Sequence, residues 1–96
     1  MAAGYFGGGF KFSPDSVELQ PGERVRFVIQ VLDDYHTFTA PALGLDVELL
    51  GGRTVTVDAV MPQQPVEIRF YCKPHESLGM VGTLKVVDSE SYDYNY

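Results

Sequence analysis

The feature that most limits how this chain can fold is a period-two alternation of apolar and polar residues. It recurs along the sequence and is broken by Gly and Pro at short intervals. Val25, Phe27, Ile29 and Val31 share one face of the longest run, with Arg26 and Gln30 on the other. Phe10 and Phe12 flank Lys11, and Val17 and Leu19 flank Glu18. Val55, Val57 and Ala59 alternate with Thr54, Thr56 and Asp58. Val66, Ile68, Phe70 and Cys72 alternate with Glu67, Arg69 and Tyr71, and Leu84 and Val86 with Thr83 and Lys85. Successive side chains of a strand point to opposite faces, so each run names its own core residues. The turns Ser13-Pro14-Asp15-Ser16 and Pro21-Gly22-Glu23 separate the runs, and no stretch carries a helical period. Many short strands at this spacing predict an all-β antiparallel sandwich or barrel.

A chain of 96 residues holds one such core. The alternation places the domain at residues 10–88. The Gly7-Gly8-Gly9 run reads as part of a flexible leading segment, 1–9, and Ser89 to Tyr96, without an apolar period, as a disordered tail, 89–96. Lys and Arg number 7 against 13 Asp and Glu, a net charge of −6. That excess argues against nucleic acid or an anionic membrane as partner, since both need a basic patch. Asp33, Asp34, Asp46, Glu48 and Asp58 read as solvated faces, or as a surface that attracts a cationic partner. No apolar run reaches the ~20 residues of a membrane span. The start, Met1-Ala2-Ala3-Gly4-Tyr5, lacks the charged-then-apolar pattern of a signal peptide, which leaves a cytosolic protein or a mature or excised domain.

Four scarce residues carry the chemistry. His36 and His75 are the only histidines, Cys72 is the only cysteine, and Met80 is one of two methionines besides the first residue. Three of the four fall in one stretch spaced Cys-x2-His-x4-Met, from Cys72 to Met80. Cys72 is in phase with Ile68 and Phe70, and Met80 with Leu84 and Val86, so both sulfurs are expected to point inward. His75 lies in the loop between them, behind Pro74, and His36 must arrive from elsewhere. Two imidazoles, one thiolate and a weak axial thioether make a blue-copper donor set, soft enough for Cu(I) and nitrogenous enough for Cu(II). Zinc would also accept Cys and two His but has no use for the thioether. A Cys/His nucleophile would need an orienting acid and an oxyanion hole, and neither is visible. A binuclear copper site needs a second cysteine in the loop, where this chain has Ser77.

The chain resembles the type 1 copper proteins, the cupredoxins, and most closely their plastocyanin-like branch. The resemblance runs from about Phe10 to Asp88. It rests on the Pro14/Val17/Pro21-Gly22 region, His36-Thr37-Phe38, Phe70-Tyr71-Cys72, the ligand loop, and Gly82-Thr83-Leu84-Lys85-Val86. It implies a Greek-key β-sandwich of about seven to eight strands holding one copper ion through His36, Cys72, His75 and Met80. It implies a tie between the two ligand segments through the residue after the first His, here Thr37 where plastocyanins carry Asn. It further implies an electron carrier rather than an enzyme, with Tyr71, Pro74 and Leu78 on the electron-transfer surface. Pro41, Ala42, Leu43 and Gly44 are expected near the ligands as part of an apolar docking face. The implied partners are redox proteins such as a cytochrome or an oxidase. The implied setting is the periplasm, a lumen or the exterior, with the protein a monomer. Copper carriage, and an electron-transfer domain of a larger oxidase or multicopper enzyme, are the rival readings.

Overall fold

The computed structural model describes residues 1–88, and the tail expected at 89–96 lies outside the described residues. Among the described residues nine strands form two sheets. They are β1 (Ala2–Phe6), β2 (Gly9–Ser13), β3 (Ser16–Leu19), β4 (Arg24–Val31), β5 (Tyr35–Ala40), β6 (Leu45–Leu50), β7 (Thr54–Val60), β8 (Val66–Tyr71) and β9 (Val81–Val86). One sheet has the order β2-β1-β4-β7 and the other β3-β9-β8-β5-β6. The chain changes sheet at β2–β3, β3–β4, β4–β5, β6–β7 and β7–β8, the crossing pattern of a Greek-key sandwich. Among the described residues no helix is long and apolar enough to cross a membrane.

The alternation finds the core. In β4, Phe27, Ile29 and Val31 are buried while Arg24, Arg26, Val28 and Gln30 are exposed. Its register with β7 runs from Arg24 opposite Val60 to Gln30 opposite Thr54. Ile68, Phe70, Cys72, Leu84 and Val86 are buried as their phase requires, although Val66, at the end of β8, is 43% exposed. Four phenylalanines bind the two sheets together. Phe38 of β5 lies with its ring centroid 5.0 Å from Phe70, 5.2 Å from Phe27 and 6.0 Å from Phe12, in tilted and edge-on arrangements that suit the ring quadrupoles.

The structure departs from the expectation in four places. Residues 1–9, expected as a flexible leading segment, instead form β1, its turn and the first residue of β2, so the sandwich takes in this segment and counts nine strands among the described residues. β1 pairs antiparallel with β2 and parallel with β4, and Ala3 is buried. Secondly, the sheets are mixed: β1–β4 and β3–β9 run parallel. Between each of these pairs the chain passes through the opposite sheet, which supplies the long return that parallel neighbours need. Thirdly, β5 escapes the alternation pattern because it is buried on both faces, Thr37 and Thr39 included. Fourthly, Pro41–Leu43 form a 3-10 turn at the far end of β5 from His36. Leu43 there lines a groove with Arg24 and Val60, so Pro41, Ala42, Leu43 and Gly44 are not beside the ligands.

Because Phe38 touches aromatic rings from both sheets, Phe38→Ala is expected to cost the metal-free protein about 3–5 kcal/mol. Urea unfolding would measure it, and a loss below about 1 kcal/mol would show that the sandwich does not depend on this cluster.

Candidate metal centre

The ligand loop is shaped by its own backbone. Cys72 follows β8 in extended conformation and caps a 3-10 helix, Lys73–Leu78, with Pro74 in its first turn. Gly79 ends that helix at φ 93°, a left-handed conformation that glycine adopts without a Cβ clash. Its N–H donates to the Glu76 carbonyl, and the Met80 N–H donates to His75. The Cys72 N–H donates to the Met80 carbonyl at 3.0 Å, which ties the two ends of the loop together. Met80 is fully buried at this closure.

His36 enters from the other side, as the second residue of β5 and wholly buried. Its Nδ1 lies 3.2 Å from Nδ1 of His75 and 3.7 Å from Sγ of Cys72, and His75 Nδ1 lies 3.3 Å from the same sulfur. Such separations are what two bonds of about 2.0–2.3 Å to a shared first-row metal leave between imidazole and thiolate donors. The donor set thus fits the copper ion that Cys, two His and Met imply. His36, Cys72 and His75 are brought together as ligand candidates by their own atoms, and buried Met80 is bonded to Cys72 and His75 through its backbone.

A hydrogen-bonded chain locks the two ligand segments. The Lys73 N–H, next to Cys72, donates to Thr37 Oγ1 at 2.8 Å. Thr37 Oγ1 lies 2.8 Å from Thr39 Oγ1, and the Thr39 hydroxyl donates to Asp46 Oδ1 at 3.0 Å. Lys73 Nζ returns to Asp46 Oδ2 at 2.8 Å and closes the ring. Each hydroxyl has one proton, so the chain runs in one direction, from the Lys73 amide through Thr37 and Thr39 to the carboxylate. The Lys73 ammonium and the Thr39 hydroxyl hold the Asp46 carboxyl below its ordinary range. Thr37 thereby links the strand that carries His36 to the residue after Cys72.

Two contributors were not legible in the sequence. Phe10 of β2 lies face to face on the His75 ring, centroids 3.9 Å apart and planes 11° from parallel, and Tyr5 of β1 meets Phe10 edge-on. Asp33, grouped by sequence with the solvated acids, has Oδ1 2.9 Å from His36 Nε2 and accepts the Tyr5 N–H on Oδ2 at 3.0 Å. No period or spacing marks either: Phe10 reaches His75 from the N-terminal hairpin, and Asp33 turns back on His36 from the connection between β4 and β5, where the hairpin's Tyr5 N–H holds its other oxygen. His75 is held below the usual imidazole value, first by loss of solvation and then by the neighbouring His36, with Asp34 and Asp33 opposing. Asp33 is held below the usual carboxylate value, first by its His36 bond and then by the Tyr5 amide. Of the expected surface residues, Pro74 is exposed, Leu78 is 62% exposed, and Tyr71 is half-buried under the Arg69 guanidinium, 5.0 Å from its ring centroid.

Residues 1–87 match a family described as copper binding proteins, plastocyanin/azurin family. No curated protein sequence matches the chain. Among solved structures it is similar to the oxidised plastocyanin of the fern Dryopteris crassirhizoma, with 29% identity, 90% of this chain and 97% of that one covered, and a TM-score of 0.68. A mutant fern plastocyanin, solved oxidised and reduced, gives 29% identity, the same coverages and a TM-score of 0.67. The periplasmic domain of cytochrome oxidase subunit II from Bradyrhizobium japonicum shares the fold at 16% identity, with 81% of this chain and 58% of that one covered and a TM-score of 0.66.

Thr37→Val leaves the part-buried Lys73 amide without its acceptor and is expected to cost the metal-free protein about 1 kcal/mol, while Thr37→Ser keeps the bond. Equal urea midpoints for Thr37→Val and the parent would show the tie to be idle. A second expectation concerns pH. Because the folded His75 value is depressed, the unfolded chain binds this proton more readily, so metal-free stability falls as pH drops below about 6.5. NMR titration of His75 should give a midpoint below the ordinary imidazole value, rising toward it in Phe10→Ala.

Proposed function

The chain belongs to the plastocyanin/azurin family of copper-binding proteins, and on that premise we propose that it is a mononuclear type 1 copper protein carrying single electrons between redox partners. The observation that carries this reading is the meeting of His36 Nδ1, His75 Nδ1 and Cys72 Sγ at separations of 3.2 to 3.7 Å. In it Cys72 would supply thiolate, His36 and His75 neutral imidazole, and Met80 a weak thioether. Copper, when bound there, would supply one-electron chemistry between Cu(II) and Cu(I).

The chain's own part is to hold the donors still. His36 and Cys72 are wholly buried, and their segments are tied through Thr37 and the Lys73 amide. Donors fixed beforehand suit both oxidation states with little movement, and movement is what slows electron transfer. His75 is only partly buried, with exposed Pro74 and Leu78 in its own 3-10 helix, and offers the shortest way for an electron to reach the surface. Tyr71, adjoining Cys72, gives a second way through the sulfur. The partners proposed are redox proteins, a cytochrome or an oxidase, met by a monomer in a lumen, the periplasm or the exterior. This is the role of a carrier and not of an enzyme. Burial of His36 and Cys72 favours retention of copper over copper carriage, which needs exposed, exchangeable donors.

Copper-loaded protein is expected to absorb intensely in the visible through thiolate-to-Cu(II) charge transfer, with the band abolished in Cys72→Ser. The colour should survive excess chelator. A colourless loaded protein, or a band that outlives Cys72→Ser, defeats the reading, and rapid bleaching by chelator supports carriage instead.

A further inference from the structure

We propose that Asp33 is a positioning residue of the metal centre, its carboxylate fixing His36 in the tautomer that turns Nδ1 toward Cys72 and His75 and biasing the site toward Cu(II). The second half of this rests on the copper reading above; the first does not.

The first part follows from hydrogen-bond inventory. An ionised carboxylate only accepts, so the contact of 2.9 Å between Asp33 Oδ1 and His36 Nε2 places the ring proton on Nε2. His36 is 0% exposed, so no solvent competes for that proton. In the neutral ring Nδ1 is then left with the lone pair, facing the His75 nitrogen and the Cys72 sulfur. A carboxylate behind a metal-bound imidazole also strengthens the ring as a donor, which favours the more highly charged ion.

The surroundings of Asp33 are cut to hold it. Its other oxygen accepts the Tyr5 N–H, so the carboxylate spans β1 and the imidazole. Gly4, at φ 154°, lies so close that a Cβ would sit 2.9 Å from Leu32 Cβ and 3.1 and 3.2 Å from the two carboxylate oxygens. On the other side a Cβ on Gly51 would fall 2.5 Å from the Asp33 carbonyl carbon and 2.6 Å from the Asp34 nitrogen. The Leu32 N–H donates to Ala3 and the Gly51 N–H to the Asp34 carbonyl, and Asp34 turns the chain at φ 47°. A carboxylate meant only for solvent needs neither the two side-chain-free approaches nor the two backbone clamps.

The test has two readouts and three variants. In Asp33→Asn the amide offers one acceptor and one donor where two acceptors are needed, against His36 Nε2–H and Tyr5 N–H. Asp33→Ala removes both acceptors; should it fail to fold, the isosteric Asn variant carries the test alone. Asp34→Asn removes the same charge one residue away, without touching the imidazole. Nitrogen NMR of the metal-free protein should show His36 protonated on Nε2 in the parent and in Asp34→Asn, and a mixture of tautomers in the Asp33 variants. In copper-loaded protein the Asp33 variants should lose about tenfold in Cu(II) relative to Cu(I) affinity, the lower end of what outer-shell partners of metal ligands contribute. That ratio reads as a potential raised by about 59 mV for one electron. Asp33→Asn with the parent tautomer and potential overturns the proposal, as does Asp34→Asn shifting the potential equally. A parent that binds no copper defeats the functional reading alone, since the tautomer is decided in the metal-free protein.

Discussion

Two imidazole nitrogens 3.2 Å apart, with a sulfur 3.3 and 3.7 Å from them, are electron-pair donors facing one another in a buried space. Their mutual repulsion is relieved only by a shared proton or cation, and burial makes that need acute. Everything else at this end of the sandwich serves to keep them there. The Thr37–Lys73 bond joins the strand that carries His36 to the start of the loop that carries Cys72 and His75. The Cys72–Met80 backbone bond closes the loop. Phe10 covers the face of His75, and Asp33 backs His36.

The scaffold explains why these contacts can be rigid. His36 and Cys72 extend from the same packed core as Phe38 and Phe70, whose rings lie 5.0 Å apart. Close-packed interiors allow little displacement, so a donor one or two residues from such a ring inherits its position. The N-terminal hairpin adds a third side. Through Tyr5 and Phe10 it reaches one imidazole by way of Asp33 and the other directly. The exposed ion pairs, Arg26–Asp58, Arg69–Glu76 and Lys73–Asp46, contribute little by comparison in open solvent; the last matters chiefly because Asp46 also ends the threonine chain.

Much of this was legible in the residues. Alternation marks the inward faces of β4, β7, β8 and β9 because each has one wet side. The spacing of the only cysteine, one of the only two histidines and a methionine is meaningful because such scarce residues seldom share one short loop by chance, and it leaves a single other histidine, His36, to join them. Three things were hidden. β5 has no wet face, so its polar threonines look like surface. β1 follows no clear alternation and carries Gly4, so it looks like a leader. Asp33 looks like any other acid in an acidic chain.

The sequence by itself determined the sandwich, its core faces and the chemical nature of the donor set, since these depend on local period and on residue type. Only the tertiary structure decided the company those donors keep. Phe10 reaches His75 across 65 positions of chain, and Asp33, although only 3 positions from His36, is held by the Tyr5 N–H from 28 positions away. Such contacts are set by the packing of distant strands, and packing between strands leaves no periodic trace along any one of them.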